Sequence, residues 1–393
     1  MEGRLKLMKK AKRILVLTLS FGSGHVQAAR TIAHELERQA PGAEVRVVDV
    51  LSDSRLLFRA GYVWPYWMMV RRAPALWERF FARRTARMAR HTAPEWAFHW
   101  GCPQVFKTIA EFRPDAIVAT EVAACEIAAM AKREGLTTAR IINVITDYEA
   151  EPVWVKPEVD VYAVADEHVR EQLRSWGVPA ERIETCGIPT DPAFSTWHEE
   201  ETTRALYRIK TDAPVVLLMG GGMGPTRMDE VAARLSESRQ ALHLVAVTGH
   251  DARARRRLAR LRVPSPVSLH VVGWTEDVAA LMQAASVLVT KPGGLTTAEA
   301  AMCAVPVVIF DAIPGPERRN AERLMEAGAA LLTHDAYDTA VGVLSLLRDE
   351  SGRQRMSACI QRLARPDAAA TIARLTLNEP VSIHEELSRR MTA

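Results

Sequence analysis

The sequence predicts an α/β protein made of two doubly wound domains facing one another across a central cleft. Strand-like runs alternate with helix-like stretches along most of the 393 residues. The strands are near-continuous apolar segments, the pattern of parallel sheets covered by helices on both faces. The alternation occurs twice, on either side of a Pro- and Gly-containing stretch. A chain this long also exceeds what one hydrophobic core usually supports.

In the first half, strands are expected at 13–19, 43–50, 115–120, 139–146 and 159–164, with helices over 25–40, 122–134 and 166–175. The run Ile14–Leu19 follows Lys9, Lys10, Lys12 and Arg13 and superficially resembles a signal peptide. It is too short to span a bilayer and passes straight into FGSGH without a small-residue cleavage site, so it reads as a buried strand behind a basic leader. The stretch GIPTDPAFSTWHEEE (187–201) reads as a hinge, which divides the chain into a first domain, 1–190, and a second domain, 191–393. Second-half strands are expected near 214–219, 242–248, 267–272, 286–290 and 305–310. Residues after about 350 read as helical, and a return to brace the first domain is open to them. Ligands in such folds bind at the carboxyl ends of the strands, here the cleft.

Composition is that of a soluble globular enzyme: 48% hydrophobic and 25% charged, with no long disordered tract. Cysteines 102, 125, 186, 303 and 359 are scattered without a C-x-x-C pair, which implies neither a zinc site nor a disulfide framework and favours a reducing cytosol. One segment breaks the pattern. Residues 51–90, within an insertion over 51–100, hold eight of the 24 aromatics and nine arginines against only Asp53 and Glu78. Trp, Tyr, Met and Phe flanked by Arg suit the headgroup region of an anionic membrane. The same composition also suits a helical insertion whose aromatics fill its own core. A nucleic-acid surface is the poorest reading, since no nucleic-acid-binding motif accompanies the charge.

Chemistry concentrates in Thr290–Ala330, read as strand, glycine turn, helix, strand and helix. Gly293 and Gly294 let a backbone approach a ligand, and Thr296 and Thr297 sit in the helix's first turn, where unpaired N–H groups and the dipole favour phosphate. Glu299, then Pro-Gly-Pro-Glu at 314–317 and Asn320, add acceptors and donors suited to sugar hydroxyls. Together they point to a nucleotide sugar. Ser20-Phe21-Gly22-Ser23-Gly24-His25 follows the first strand and places an imidazole at a strand–helix corner. There it serves as a general base or merely packs at the corner.

Several segments carry a family resemblance: LSFGSGHVQAA (19–29), ITDYEAEPVWVKPEVDVYAVAD (145–166), RIETCGIPTDPAF (182–194), LLMGGGMGP (217–225), VTGH (247–250), VVGWTEDVAALMQAASVLVTKPGGLTTAEA (271–300) and PGPERRNA (314–321). The chain resembles GT-B glycosyltransferases, which have two Rossmann-like domains, in the group of monogalactosyl- and glucosyl-diacylglycerol synthases. The peptidoglycan transferase MurG is a more distant relative. The resemblance implies inverting transfer from a UDP-hexose to a lipid hydroxyl such as diacylglycerol, with no metal and no cofactor. It implies His25 as base after Gly24, and Gly221 and Gly222 approaching the donor phosphates. Gly249 and Trp274 would border the base, and Gly293, Gly294, Leu295, Thr296 and Thr297 would cradle the diphosphate. Glu299 is similar to the acid that grips ribose, and Glu317 with Asn320 to the residues that read the hexose.

Three departures concern the acceptor side and the hexose. Pro316 stands where relatives commonly have Gln, and Glu121 and Glu151 stand near positions where relatives tend to carry His. Either carboxylate is therefore a second candidate for the base. The expected setting is the cytoplasmic face of the cell membrane, held peripherally through 51–90. The alternatives are N-acetylglucosamine transfer to a polyprenyl-linked acceptor, nucleotide-sugar epimerisation, and a non-catalytic nucleotide-sugar sensor.

Overall fold

The computed structural model describes residues 11–378 except 21, 89, 208, 210–212, 222–226 and 314. Gly222, expected at the donor phosphates, therefore lies outside the described residues.

Strands β1 (Arg13–Thr18), β2 (Glu44–Asp49), β3 (Ala116–Ala119), β4 (Arg140–Val144), β5 (Val161–Val164) and β6 (Ile183–Thr185) form a parallel sheet in the order β2-β1-β3-β4-β5-β6. The second sheet has β7 (Val215–Met219), β8 (Leu242–Val247), β9 (Val267–Val272), β10 (Val287–Thr290), β11 (Val307–Ile309) and β12 (Ala330–Leu332), ordered β12-β11-β10-β7-β8-β9 and also parallel. The inner strands β1, β3, β4, β7, β8 and β10 are almost wholly buried, which is why they read as unbroken apolar runs. Edge strands β6 and β12 were not anticipated. Each has three residues with only its first fully buried, too short to show a period.

Strand order fixes where ligands can enter. The chain reverses direction across the sheet between β1 and β3 in one domain and between β7 and β10 in the other. At such switch points the following loops diverge and leave a crevice at the carboxyl ends of the strands. The turns before His25 and Glu121 follow β1 and β3, and those carrying Gly221 and Gly293 follow β7 and β10.

The domains interlock twice. The last described helix, Ala368–Leu377, returns to the first domain, where Ile372, Ala373 and Leu377 share an apolar cluster with Ile14, Val16, Ile32 and Leu36. Its arrival leaves no room beside the hinge: a Cβ on Gly187, whose φ is +93°, would lie 2.3 Å from the Arg365 Cβ. In the second contact, Leu295 and Ala298 of the second domain join the other apolar cluster of the first. Between β2 and β3 the chain inserts helices Leu56–Arg72, Pro74–Ala86, Glu95–Gly101 and Pro103–Phe112. Phe58, Trp77, Phe81 and Phe98 are buried there, whereas Leu56, Leu57, Trp64, Leu76, Phe80, Trp96 and Trp100 are exposed.

Truncating a side chain of the returning helix should loosen the first domain. Ile372→Ala is expected to cost about 2–5 kcal/mol, seen as a lower urea midpoint for that domain's unfolding.

Candidate active site

His25 lies in the first turn of the helix Ser23–Gln39. Its Nδ1 is 3.0 Å from the carbonyl oxygen of Thr120 and 2.9 Å from Thr146 Oγ1. A carbonyl can only accept, so we assign the ring proton to Nδ1, which leaves the lone pair on Nε2. Among the described residues Nε2 takes no hydrogen bond, so one ring nitrogen is anchored and the other is available to a proton.

The two carboxylate candidates are engaged elsewhere. Glu121 caps the helix Val122–Arg133, accepting from Ala123 N at 2.7 Å and Ala124 N at 3.3 Å. Burial pushes its carboxyl above the usual range, opposed by the charge of nearby His25 and by those two backbone donors. Glu151 is held by Arg84, whose Nε donates at 3.1 Å and whose Nη2 also donates to the same oxygen. Its carboxyl too is raised by burial against the pull of Arg84. These contacts all fall on Oε2, so Oε1 of Glu121 and of Glu151 takes no hydrogen bond among the described residues and both carboxylates stay candidates for the base.

Across the cleft, glycine turns converge. Gly221 and Gly249 have φ of +71° and +55°, a region costly for side chains with a Cβ. A Cβ on Gly249 would lie 3.9 Å from the Gly221 oxygen, and one on Gly221 3.9 Å from Lys291 Cε. Lys291 is buried, with its Nζ 3.9 Å from Glu317 Oε1. Sequence reading passed over this lysine, although a lysine directly after a buried strand is a signal, because a buried ammonium needs an anion. Gly293 caps the helix Gly294–Met302 in extended conformation, so the first N–H groups point out of the helix end. Leu295 and Thr297 are buried and Thr296 is half-buried in that turn. Trp274 is 57% exposed and stacks on His250 at 6.0 Å, which makes it a surface platform and not a core residue.

The sugar-side residues divide. Glu299 is buried and its carboxyl is pushed up to about 8, chiefly by burial, with the charge of Asp191 adding. Glu317 folds back to accept from Ile313 N at 2.9 Å; burial raises it while Lys291 and that N–H oppose the rise. Asn320 is fully buried and spans the domains. Its Oδ1 accepts from Tyr148 N at 3.0 Å, and its Nδ2 donates to Asp147 Oδ1 at 2.9 Å and to the Pro292 oxygen at 3.0 Å. In this closed arrangement Asn320 joins the halves, and its amide is largely spent before any hexose could use it.

The two switch points meet directly. A Cβ on Gly24 would touch the Leu295 Cβ at 3.4 Å, and one on Gly294 would fall 2.0 Å from the Thr146 oxygen. The imidazole and the phosphate-type helix end therefore share one cleft. An imidazole with a free Nε2 facing a helix N-terminus beside a lysine can combine proton transfer with stabilisation of negative charge.

Residues 25–190 match the family described as Monogalactosyldiacylglycerol (MGDG) synthase, and residues 206–362 the family described as Glycosyl transferases group 1. Proteins named processive diacylglycerol beta-glucosyltransferase, from Bacillus cereus (strain AH187) and Bacillus thuringiensis (strain Al Hakam), are each 27% identical over 372 residues, 95% of this chain and 95% of theirs. The fold is similar to that of Acinetobacter baumannii MurG, with a TM-score of 0.63 at 16% identity over 93% of this chain and 99% of the other. It is also similar to Anabaena Alr3699/HepE, solved in complex with UDP-glucose, with a TM-score of 0.56 at 16% identity over 93% and 98%.

The Glu299 environment gives a pH signature. With the folded value near 8 and the ordinary value 4.5, the unfolded chain binds fewer protons between these limits, so this group subtracts stability as pH rises through that window. Glu299→Gln should raise the melting temperature of the ligand-free protein at pH 8 and change nothing at pH 4. A thermal-shift series across pH tests this, and a pH-independent effect would contradict it.

Proposed function

We propose that this chain, a glycosyltransferase of the GT-B fold, transfers a hexose from a UDP-sugar to the hydroxyl of a 1,2-diacylglycerol with inversion at the anomeric carbon. The observation that carries the reading is the meeting of His25 with the helix end at Gly293–Thr297 across the closed cleft. The diacylglycerol acceptor is supported by the names of relatives matched along 95% of the chain. A UDP-sugar donor is in keeping with the UDP-glucose complex of a protein of similar fold.

In this mechanism the acceptor oxygen attacks the anomeric carbon on the face opposite UDP while Nε2 of His25 takes its proton. Nδ1–H stays on the Thr120 carbonyl, so the ring is held in the tautomer that can accept. The sugar–oxygen bond to UDP breaks with its electron pair, and the charge collects on the leaving diphosphate. The first-turn N–H groups after Gly293 and the Lys291 ammonium hold that charge. Glu121, buried beside His25, stabilises the imidazolium once it forms. Glu299 takes the ribose hydroxyls and Glu317 the hexose, while Trp274 flanks the base. Closure excludes water that would otherwise hydrolyse the donor.

The lipid enters from the insertion. On the helix Pro74–Ala86 and just beyond it, Leu76, Arg79, Phe80, Arg83 and Arg87 fall on one exposed stripe by their spacing, apolar and basic residues interleaved. Exposed Trp64, Trp96 and Trp100 belong to the same insertion. Such a surface suits an anionic bilayer. No helix among the described residues is long and apolar enough to cross a membrane, in keeping with a peripheral mode of attachment.

Incubating the protein with UDP-hexoses, with and without diacylglycerol vesicles, tests the function: lipid-dependent UDP release with the matching glycolipid by mass spectrometry is expected. Donor turnover without glycolipid would overturn the acceptor. His25→Ala should lower kcat by about 100-fold or more with UDP affinity little changed; undiminished kcat would move the base elsewhere. Replacing Arg79, Arg83 and Arg87 by Gln should weaken pelleting with anionic vesicles and steepen its loss with salt. Unchanged pelleting would remove this helix from the membrane surface.

A further inference from the structure

Phe81 has a placement that neither the transfer chemistry nor membrane docking uses. It sits on the helix Pro74–Ala86 one turn after Trp77, and both rings are buried, on a different side of the helix from the exposed stripe. The Arg84 guanidinium lies 5.6 Å from the centre of the Phe81 ring, and the Arg319 guanidinium also lies 5.6 Å from it. Each cation then ends on a carboxylate of the loop after β4: Arg84 on Glu151 and Arg319 on Glu149. One aromatic ring thus holds an arginine from each domain, and both arginines grip the same loop.

The ring also supports the sugar-side turn. A Cβ on Gly315, whose φ is +98°, would lie 3.3 Å from Phe81 Cδ2 and 3.4 Å from Trp77 Nε1. Two residues on, Glu317 bonds back to Ile313 N, so the backbone pressed against Phe81 is the one that aims this carboxylate. Arg318 fixes the same contact from outside by pairing with Glu78 at 3.0 Å.

We propose that Phe81 is a positioning residue that sets the hexose-reading turn at 315–317 against the acceptor loop at 147–151 when the cleft is closed. The proposal rests on the hexosyltransferase reading and deepens it. A ring suits the task because its faces attract two guanidinium groups while its edge fills the space beside Gly315. Leucine would fill the space and lose the attraction. The membrane-facing insertion thereby becomes a wall of the sugar site as well as a route for lipid.

Phe81→Leu and Phe81→Tyr in the full chain separate this role from bulk packing. Calorimetry with UDP and with UDP-hexose, and transfer kinetics on diacylglycerol vesicles, are the readouts. For Phe81→Leu, UDP affinity should stay within about twofold while the extra affinity supplied by the hexose is lost. The same variant should lose about 10-fold or more in kcat/KM and send a larger share of donor to water. Phe81→Tyr should restore all three. Wild-type kcat/KM in Phe81→Leu, or Phe81→Tyr failing equally, would overturn the proposal. If the unmodified protein bound no UDP-sugar, the proposed function would fall instead. A double-mutant cycle of Phe81→Leu with Arg319→Gln in thermal unfolding would then decide the matter, with coupling supporting the link between domains and additivity refuting it.

Discussion

The approach of the Gly294 backbone to the carbonyl of Thr146 is the constraint on which the rest of the site depends. A Cβ at that position would sit 2.0 Å from the carbonyl oxygen, well inside van der Waals contact, so only glycine permits this closure. With the backbone that close, Leu295 and Ala298 reach the first domain's core, and burial of apolar surface holds the phosphate-type helix against it. The same approach brings Pro292 and Asp147 within reach of one buried amide. Asn320 then satisfies three of its four hydrogen-bonding positions, two of them across the interface on Tyr148 and Asp147 and one on Pro292 of its own domain. The geometry that closes the cleft is therefore the geometry that faces His25 with a helix N-terminus.

Four acids of the two domains are each treated differently. Glu121, Glu151, Glu299 and Glu317 are all raised by burial. Glu121 is offset by His25 and a helix start, Glu151 by Arg84, and Glu317 by Lys291 and a backbone N–H. Glu299 has no cation against it, and Asp191 adds to the cost.

The insertion between β2 and β3 splits its aromatics and arginines between an interior and an exposed surface. Its aromatics are divided by side: Phe58, Trp77, Phe81 and Phe98 are buried, and Trp64, Phe80, Trp96 and Trp100 are exposed. Arginines divide the same way. Arg84 turns inward to a carboxylate, whereas Arg79, Arg83 and Arg87 remain exposed. A helix can serve an interior and an outer surface together because residues three and four apart share a side while neighbours one apart do not.

The sequence by itself determined the alternating α/β architecture, the inner strands, the glycine turns and His25 at a strand–helix corner. These are local properties, written in an apolar run a few residues long or in a backbone conformation that only glycine accepts. It could not show the three-residue edge strands, whose pairing comes from a neighbour and not from their own pattern. Nor could it show that Glu121 would become a helix cap, Glu151 an ion-pair partner of Arg84, Asn320 a bridge between domains, or Lys291 the buried cation between Gly221 and Glu317. Partners such as Tyr148 and Asn320 are 172 positions apart in the chain. Nothing along the chain ties one to the other; they meet only because two sheets close on a glycine that leaves room for a carbonyl.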